Sequence, residues 1–474
     1  MPATITRRAH PALHTVSAAS EIKTSRRNQT LGVMNGMLVN LGNAFVDPFT
    51  VLPVFIATFG GSSILVGLVT AAFTAGWFLP QVFVAGMAQT RRLVLPIYTA
   101  AAAFRLIGFV GAGVCVFWID PAHRGAVLAC VIGGLSLNAF ASGVAGIPFL
   151  EITSKTVPVN QRGAFFGGRR VMGGVLGVFA GILIAAVLGG DPGALWSRTA
   201  FYRVVKDLAL RMHLAGHPFP YDYGILIIIG GLISAAGVLS YLFVDEPPAV
   251  HIAKPTPLRQ QFADGFAMLR SLPDYRAFLW MRIFYQLTAM CFPFYATFAY
   301  EQLGFSQASV GIFVSIWLGA GVLSNLVWGP LLDKRGHRIV FVWTAAISVA
   351  APIVILLLAV LRPHAQEAAG IFAVVALTFL LNGFVRAGRF IANHTYLLEV
   401  APLEKRPLYI GFMNSMTFPF MLSPILGGVI VSLFGYRTLF VVGGVAAMAD
   451  WIVSARLGEP RHVVAVEDEE MASA

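Results

Sequence analysis

Four polar side chains recur along one predicted helix inside an otherwise apolar stretch. Asn382, Arg386, Arg389 and Asn393 are spaced at i, i+4, i+7 and i+11, which places them on one face of a helix. A charged side chain is costly within a bilayer and rarely faces lipid. We therefore expect this face to point into protein or a water-filled cavity, where two guanidinium groups bind an anionic ligand group or a protein carboxylate.

A second polar stripe lies near the start of the chain. Asn40, Asn43 and Asp47 are spaced at i, i+3 and i+7, and Pro48 follows directly. The proline predicts a kink in this helix. Two interpretations of Asp47 stay open: a structural ion pair with Arg105, or a protonatable carboxylate that faces a cavity.

The composition indicates the elements that must carry these stripes. Of the 474 residues, 57% are hydrophobic and only 12% are charged, and the mean hydropathy is +0.76. The apolar residues form blocks of roughly 20 or more, enough for a helix to cross a bilayer. We predict an all-α integral membrane protein with twelve transmembrane helices. The predicted spans are roughly 31–57, 63–88, 94–118, 125–150, 165–189, 224–244, 277–300, 307–331, 339–361, 370–397, 408–433 and 438–456.

The charge distribution predicts the orientation. With both termini in the cytoplasm, that side carries roughly three times as many Lys and Arg as the other, as the positive-inside rule requires. We expect a disordered basic tail over 1–30, bundles over 31–244 and 277–457, a cytoplasmic linker over 245–276 and an acidic tail over 458–474. The amphipathic segment 195–213 predicts an interfacial helix on the outer side. The net charge of +11 reflects this topology and affinity for membrane lipids, and needs no nucleic-acid partner.

The sequence contains no recognisable site for a cofactor or for enzyme chemistry. Cys115, Cys130 and Cys291 fall in predicted spans without metal-ligand spacing, so we expect small apolar packing residues, no disulfide and no metal. No nucleophile motif, phosphate-binding loop or cluster of His, Asp and Glu stands out. We predict that the protein is not an enzyme.

The two halves of the chain repeat. A shift of 244 residues, without gaps, superposes residues of the same type at corresponding helix positions. The matching pairs are Gly67 with Gly311, Asn138 with Asn382, Pro158 with Pro402, Arg162 with Arg406, and Gly167 with Gly411. Two pseudo-symmetric six-helix bundles in parallel orientation follow, and substrate sites in such folds lie between the halves.

The loop between predicted helices 8 and 9 carries a motif. Gly329, Asp333, Lys334, Gly336 and Arg338 fit the pattern G-x-L-x-D-[RK]-x-G-x-R. This loop resembles the signature of the major facilitator superfamily, and together with the repeat the resemblance covers residues 31–456. It implies that the motif acts in gating. The first-half copy departs from the pattern.

The resemblance also implies that helices 1, 4, 7 and 10 line a central cavity, with helices 3 and 12 at the periphery. On this basis we expect ten residues to face the cavity: Asn40, Asn43, Asp47, Asn138, Tyr285, Gln286, Asn382, Arg386, Arg389 and Asn393. Asp47 is the candidate for proton coupling. Arg105, Arg282 and Asp450 are structural ion-pair candidates, with Arg282 and Asp450 expected to pair.

The resemblance implies a secondary active, proton-coupled transporter of a small organic solute that works by alternating access. We expect a multi-pass monomer in the bacterial inner membrane that uses protons or another ion gradient. One alternative is efflux of lipophilic or cationic compounds, although helix 5 lacks the Gly-Pro-x-x-Gly-Gly run of drug antiporters. Another is a non-transporting assembly factor with this fold.

Overall fold

The computed structural model describes residues 11–158, 161–249, 258–361, 369–400 and 406–459, and these segments contain only helices and connecting turns. The helices of the first half are α1 (Pro11–Ala44), α2 (Val51–Thr58), α3 (Ser63–Gln89), α4 (Leu95–Trp118), α5 (Arg124–Thr156), α6 (Arg162–Leu188), α7 (Ala194–Ser197), α8 (Ala200–Arg211) and α9 (Tyr221–Tyr241). The second half contains α10 (Leu258–Ser271), α11 (Pro273–Ala289), α12 (Phe292–Glu301), α13 (Gln307–Arg335), α14 (His337–Leu361), α15 (Ala369–Val400), α16 (Arg406–Thr417), a 3-10 helix (Phe418–Leu422) and α17 (Ser423–Ala455).

In the described part of the chain, nine helical stretches are long and apolar enough to cross a membrane. The predicted number was twelve, and the difference arises at three places. Predicted spans 1 and 7 are each divided between two helices, and spans 11 and 12 form one continuous stretch, Tyr409–Ala455. The count of twelve crossings stays a prediction.

A proline or glycine lies at each of these three places and accounts for the local change in the helix. Pro48 cannot donate a backbone hydrogen bond, and α1 ends just before it. Pro293 lies in the first turn of α12, where its missing N–H is tolerated. Gly435, at φ 82° and ψ 173°, breaks the helical path within α17, and this left-handed region favours glycine.

The segments outside the bundles differ in part from expectation. We predicted disorder over 1–30, but α1 already begins at Pro11; proline is tolerated in the first turn of a helix, and no further Pro or Gly interrupts residues 12–30. Residues 1–10, 250–257 of the linker and 460–474 of the acidic tail lie outside the described residues. The linker contains α10, and segment 195–213 contains α7 and α8.

The packing of the two halves differs between the two ends of the molecule. At one end, a single hydrophobic core joins both halves and includes Phe55 of α2, Phe292 of α12 and Phe313 of α13. We call this the sealed end. At the other end, each half has its own core, around Tyr98 and Tyr241 in the first half and around Tyr275 in the second. We call this the split end.

Glycines let the two halves approach closely at the sealed end. Gly311 of α13 lies against the α6 backbone at Gly181 and Ala185, and its repeat partner Gly67 of α3 lies against the backbone at Pro424 of α17. A side chain at either glycine would overlap with main-chain atoms, so these positions set the interhelical distance. The repeat thus supplies equivalent contacts on both sides of the interface.

Polar contacts add to this seal. The Ser315 hydroxyl of α13 donates to the Val178 carbonyl of α6 at 2.7 Å. The Gln307 amide, at the start of α13, donates to Thr58 Oγ1, at the end of α2, at 3.2 Å. Side-chain hydrogen bonds between helices strengthen association where water is scarce.

At the split end, each half is fastened by a glutamate that follows its last long helix. Glu246 accepts hydrogen bonds from the backbone N–H groups of Val94 and Leu95, at 3.0 and 2.8 Å, and pairs with Lys155 at 2.8 Å. Glu459 accepts from the Arg338 N–H at 2.8 Å. A carboxylate at a helix N-terminus satisfies free N–H groups and stabilises the helix dipole. These contacts therefore tie helices together within each half.

The contact at Gly311 yields a test of the seal. We expect Gly311→Ala to push α13 away from α6 and weaken closure of the sealed end, because the added methyl group meets backbone that cannot move aside. Crosslinking of cysteines introduced at Thr58 and Gln307 by a short bifunctional thiol reagent measures this closure, and crosslinking should decrease.

Gly319→Ala is the matched control, since a methyl group there has only ordinary contact with Val178 at 3.4 Å. Equal crosslinking yields in the two variants would show that the α6–α13 contact does not control closure.

Candidate functional site

Asp47 lies at the break between α1 and α2 and is 9% exposed. Its Oδ1 accepts a hydrogen bond from the Phe49 N–H at 2.9 Å and from the Thr50 hydroxyl at 2.8 Å. These bonds satisfy groups at the start of the chain segment leading into α2, as an Asx-type turn does. Arg386 is close enough for an electrostatic interaction with the Asp47 carboxylate. Asp47 therefore makes hydrogen bonds at the α1–α2 break and also interacts electrostatically with Arg386 of α15.

Arg386 projects from α15 toward the first half. Its guanidinium carbon lies 4.9 Å from the Phe49 ring centre and 5.5 Å from that of Trp317. The Phe49 and Trp317 rings are themselves stacked at 5.5 Å. Arg386 is exposed, so its charge combines aromatic cation–π contact with an open face that can bind a ligand.

Arg170 of α6 is a cationic residue that our sequence analysis missed. Its guanidinium carbon lies 3.7 Å from the ring centre of Phe390 on α15, so it reaches from the first half to the second. It also interacts electrostatically with Arg386. The available signal was an Arg-Arg pair within an apolar, glycine-rich stretch, but we assigned both arginines to the loop charge that fixes orientation.

Arg389 does not share the environment of Arg386. It is 1% exposed and forms a short ion pair with Asp450 of α17, which is 0% exposed. Its guanidinium carbon also lies 5.1 Å from the Tyr285 ring centre. Three residues turn a helix by about 300°, so the predicted stripe is wide enough for its members to meet different neighbours. Arg389 is therefore neutralised within the second half.

The predicted pair of Arg282 with Asp450 was wrong. Asp450 pairs with Arg389, and Arg282 instead donates to the side-chain oxygen of Asn414 at 3.2 Å. The sequence alone did not determine which arginine faces Asp450.

Arg105 was also predicted to form a structural ion pair, and the structure does not show one in the described residues. Among the described residues, no carboxylate lies within ion-pair distance of it, and its Nε is buried without a hydrogen-bond partner. Asp47 makes its bonds within its own turn instead.

The remaining predicted cavity residues fall into two groups. Asn40, Asn43, Tyr285, Gln286 and Asn393 retain partial or full exposure, whereas Asn138 and Asn382 are 2% and 3% exposed. The Asn382 amide donates to the Thr378 carbonyl of its own helix at 2.8 Å.

Several of these asparagines retain unused hydrogen-bonding capacity. The side-chain oxygens of Asn43, Asn138 and Asn393 are buried and have no hydrogen-bond partner. Such buried polar atoms are rare in proteins and call for a ligand, water or rearrangement.

The gating motif forms the α13–α14 corner at the split end. Gly336, at φ 83°, ends α13, and α14 begins at the next residue. The Arg338 guanidinium donates to the Ala455 carbonyl of α17 at 2.7 Å. Gly329, Asp333 and Lys334 lie on the last turns of α13. The motif therefore ties α14 to the end of α17, and its role in gating stays a prediction.

Two findings concern cysteine and metal chemistry. Cys115 of α4 and Cys130 of α5 form a disulfide with a Cα–Cα distance of 6.5 Å, so the prediction of no disulfide was wrong. Close packing of α4 on α5, through Gly108 and Gly134, brings these residues together although their spacing has no metal-ligand pattern.

Among the described residues, His337, Glu399 and Glu459 form one group whose ligand-type atoms lie within 4.8 Å of one another. Their mutual contacts, and the hydrogen bond of His337 Nε2 with Thr395 at 2.9 Å, join the ends of α14, α15 and α17. We assign this group to helix packing at the split end.

Taken together, these contacts define a site between the halves that has excess positive charge. Among the described residues, Arg170 and Arg386 outnumber the one carboxylate that interacts with them, that of Asp47, because Arg389 and Asp450 neutralise each other. Aromatic rings flank both free arginines. A polytopic helical bundle with a polar site between two repeated halves is the architecture of a secondary transporter.

Comparisons with known proteins agree with this class. The profile of the Major Facilitator Superfamily matches residues 278–471. A search of curated protein sequences finds no match. The chain is nevertheless similar in structure to solved membrane transporters across nearly its full length.

Three of these structures illustrate the similarity. The nucleoside transporter NupG, in a point-mutant form, has a TM-score of 0.64 at 14% identity, covering 92% of this chain and 98% of that one. A D-xylose–proton symporter has 0.63 at 14% identity, with the same coverage. A bacterial homologue of the human lysosomal transporter Spinster, inward-facing and unoccupied, has 0.60 at 15% identity, covering 92% and 97%.

The family profile thus covers most of the second half of the chain, and over nearly its full length the chain has the fold of these transporters. Its nine long, apolar helical stretches in the described residues indicate a multi-pass membrane protein.

The Arg389–Asp450 pair supplies a test of the charge assignment. We expect Asp450→Asn to lower the free energy of unfolding by about 3–5 kcal/mol, because it leaves a buried guanidinium without its counter-charge. Replacing both residues, as Arg389→Met with Asp450→Leu, should recover much of this loss. Chemical unfolding in detergent measures all three proteins.

The exposed pair of Arg27 with Asp245, at 3.0 Å, provides the control. Asp245→Asn should cost less than about 1 kcal/mol. An Asp450→Asn variant as stable as Asp245→Asn would contradict the assignment of a buried, mutually neutralising pair.

Proposed function

We propose that the protein is a secondary active transporter that carries a small organic anion across the membrane by alternating access. The observation that carries this proposal is the arrangement of Arg170 and Arg386. They extend from opposite halves, each lies on an aromatic ring of the opposite half, and they repel each other. An anionic group bound between them would relieve this repulsion. The aromatic surroundings favour a substrate that also has an apolar or planar part.

The proposed orientation makes the split end cytoplasmic, following the excess of Lys and Arg there. The described conformation is then inward-facing, with the sealed end closed toward the outside. The likeness to the Spinster homologue, whose structure is inward-facing and unoccupied, supports this interpretation. A bacterial inner membrane and cytoplasmic termini remain part of the proposal.

The anion would couple binding to movement of the halves. Arg170 belongs to the first half and Arg386 to the second, so a shared anion draws both toward one position. The split end can then close while the sealed end opens, because each half is fastened internally by its own glutamate. The energy for this shift would come from the anion's better contacts with the closed arrangement.

Asp47 is the proposed site of proton coupling. Ionised, it competes with the substrate anion for Arg386; protonated, it leaves that guanidinium free. Protonation also weakens the hydrogen bonds that its Oδ1 accepts at the α1–α2 break, so the same event can alter helix geometry. The proposed cycle moves a proton and an anion in the same direction, driven by an ion gradient.

Export of lipophilic cations is less well supported. A cation in this site would meet two arginines and only one carboxylate, and like charges in a medium of low dielectric constant repel strongly. A role as an assembly factor would not explain why Arg170 and Arg386 lie between the halves without a carboxylate in an ion pair. A monomer suffices for the proposed cycle, since both halves are in one chain.

The transport proposal predicts distinct effects for three substitutions. In vesicles with a library of labelled organic anions, Arg386→Gln and Arg170→Gln should each weaken uptake of the transported anion by roughly 10-fold or more, as expected for loss of a charge-assisted hydrogen bond. Asp47→Asn should retain anion binding, while uptake should lose its dependence on a proton gradient.

Arg91→Gln, which removes an exposed arginine at the α3–α4 turn, is the charge-matched control and should transport normally. Uptake restricted to lipophilic cations, or anion uptake unaffected by both cavity substitutions, would overturn the proposal.

A further inference from the structure

A groove between α4 and α9 lies on the outside of the first half, away from the site between the halves. Its volume is about 210 Å³, below the 300–1,000 Å³ typical of pockets for drug-sized ligands. Mostly apolar residues of the two helices line it, including Leu106, Phe109, Val238 and Leu239. Since Leu106 and Leu239 are exposed on membrane-spanning helices, the groove opens toward lipid.

Arg105 lines this apolar groove and is 7% exposed. Among the described residues it has no ion pair and no hydrogen bond, and its Nε is buried without a partner. The nearby Tyr98 hydroxyl is already an acceptor for the Asn35 amide at 3.0 Å. A buried guanidinium without a counter-charge is strongly unfavourable, so an anion from outside the described part of the chain would stabilise Arg105.

The position of Arg105 indicates where that partner enters. Its Cα lies about 15 Å along α4 from Leu95 at a rise of 1.5 Å per residue. Side chains of a helix lean toward its N-terminus, and for α4 this is the split end. Thr99 lies in that direction and also lines the groove. An anionic group near the lipid surface can therefore approach the guanidinium from the split end, while an alkyl chain follows the apolar lining.

We propose that this groove binds an acidic phospholipid of the surrounding membrane, with its anionic headgroup on Arg105 and part of one acyl chain between α4 and α9. The volume fits part of a single acyl chain rather than a whole lipid, and the lining fits its apolar character. The site lies on the first half alone, so it is independent of the proposed substrate. Binding there would brace α4 against α9 and stabilise the first half as a rigid unit.

Native mass spectrometry of the purified full-length protein tests this site. The protein is mixed with equal amounts of phosphatidylglycerol and phosphatidylcholine, and the ratio of the two lipid adducts is measured. We expect the wild-type protein to prefer phosphatidylglycerol, and Arg105→Gln to reduce that preference by roughly 10-fold, since one charge-assisted contact is lost. Arg91→Gln, an exposed arginine near the same end of α4, should leave the preference largely intact.

A second variant keeps the test decisive if Arg105→Gln does not fold. Ala103 is exposed and lines the groove, so Ala103→Phe should fill it without altering charge and should also abolish the preference. Inorganic phosphate, which has the anionic group but no chain, should not protect the wild-type protein from thermal unfolding. Equal binding of the two lipids, a preference that survives in Ala103→Phe, or protection by phosphate alone would each overturn the proposal.

Discussion

The structure depends on how it accommodates arginines within membrane helices. A guanidinium in a medium of low dielectric constant needs an opposite charge, hydrogen-bond acceptors or access to water. Arg389 obtains a carboxylate from Asp450, and Arg282 obtains an amide oxygen from Asn414. Arg386 keeps an open face between the halves. Arg389 and Arg282 therefore hold helices together, whereas Arg386 remains available to a ligand.

The same constraint explains why the available charge lies between the halves. The sealed end excludes water through one continuous hydrophobic core and the close backbone contacts at Gly67 and Gly311. In the proposed transport cycle, a permanent ion pair joining the halves would have to break each time, at the cost of desolvated charge. An aromatic contact to Arg170 or Arg386 is weaker and could be exchanged for the proposed substrate anion. We therefore propose that a bound anion replaces these cation–π contacts.

Periodicity and composition predicted the helical class, the repeat and most helix positions, because long apolar stretches dominate the sequence. They also selected Asp47 and Arg386 as candidate site residues, and the structure places the two side chains close enough to interact electrostatically. They did not predict the pairing of Arg389 with Asp450 or the disulfide of Cys115, because partners on different helices depend on packing angles that spacing does not encode. Arg170 was missed because a charge near the end of a predicted span is indistinguishable, in sequence, from a loop charge that fixes orientation.

The sequence repeat also indicated contact positions that no single motif indicated. Gly67 and Gly311 match at a shift of 244 residues, and both lie at contacts between the halves. The glutamates after the last helices, Glu246 and Glu459, fasten the two halves in similar ways, although they fall outside that shift. Loop lengths differ between the halves, so equivalent contacts need not keep one offset.

The central claim is that the site between the halves is electropositive and reachable from the split end, and it can be tested without knowing the substrate. A cysteine replaces Phe390, beside Arg170, in a Cys291→Ser background, and its reaction rates with anionic and cationic thiosulfonate reagents are each normalised to those of a free thiol. An electropositive site should react faster with the anionic reagent after normalisation, and the difference should be smaller after Arg170→Gln. Faster reaction with the cationic reagent, or equal rates that Arg170→Gln leaves unchanged, would contradict it.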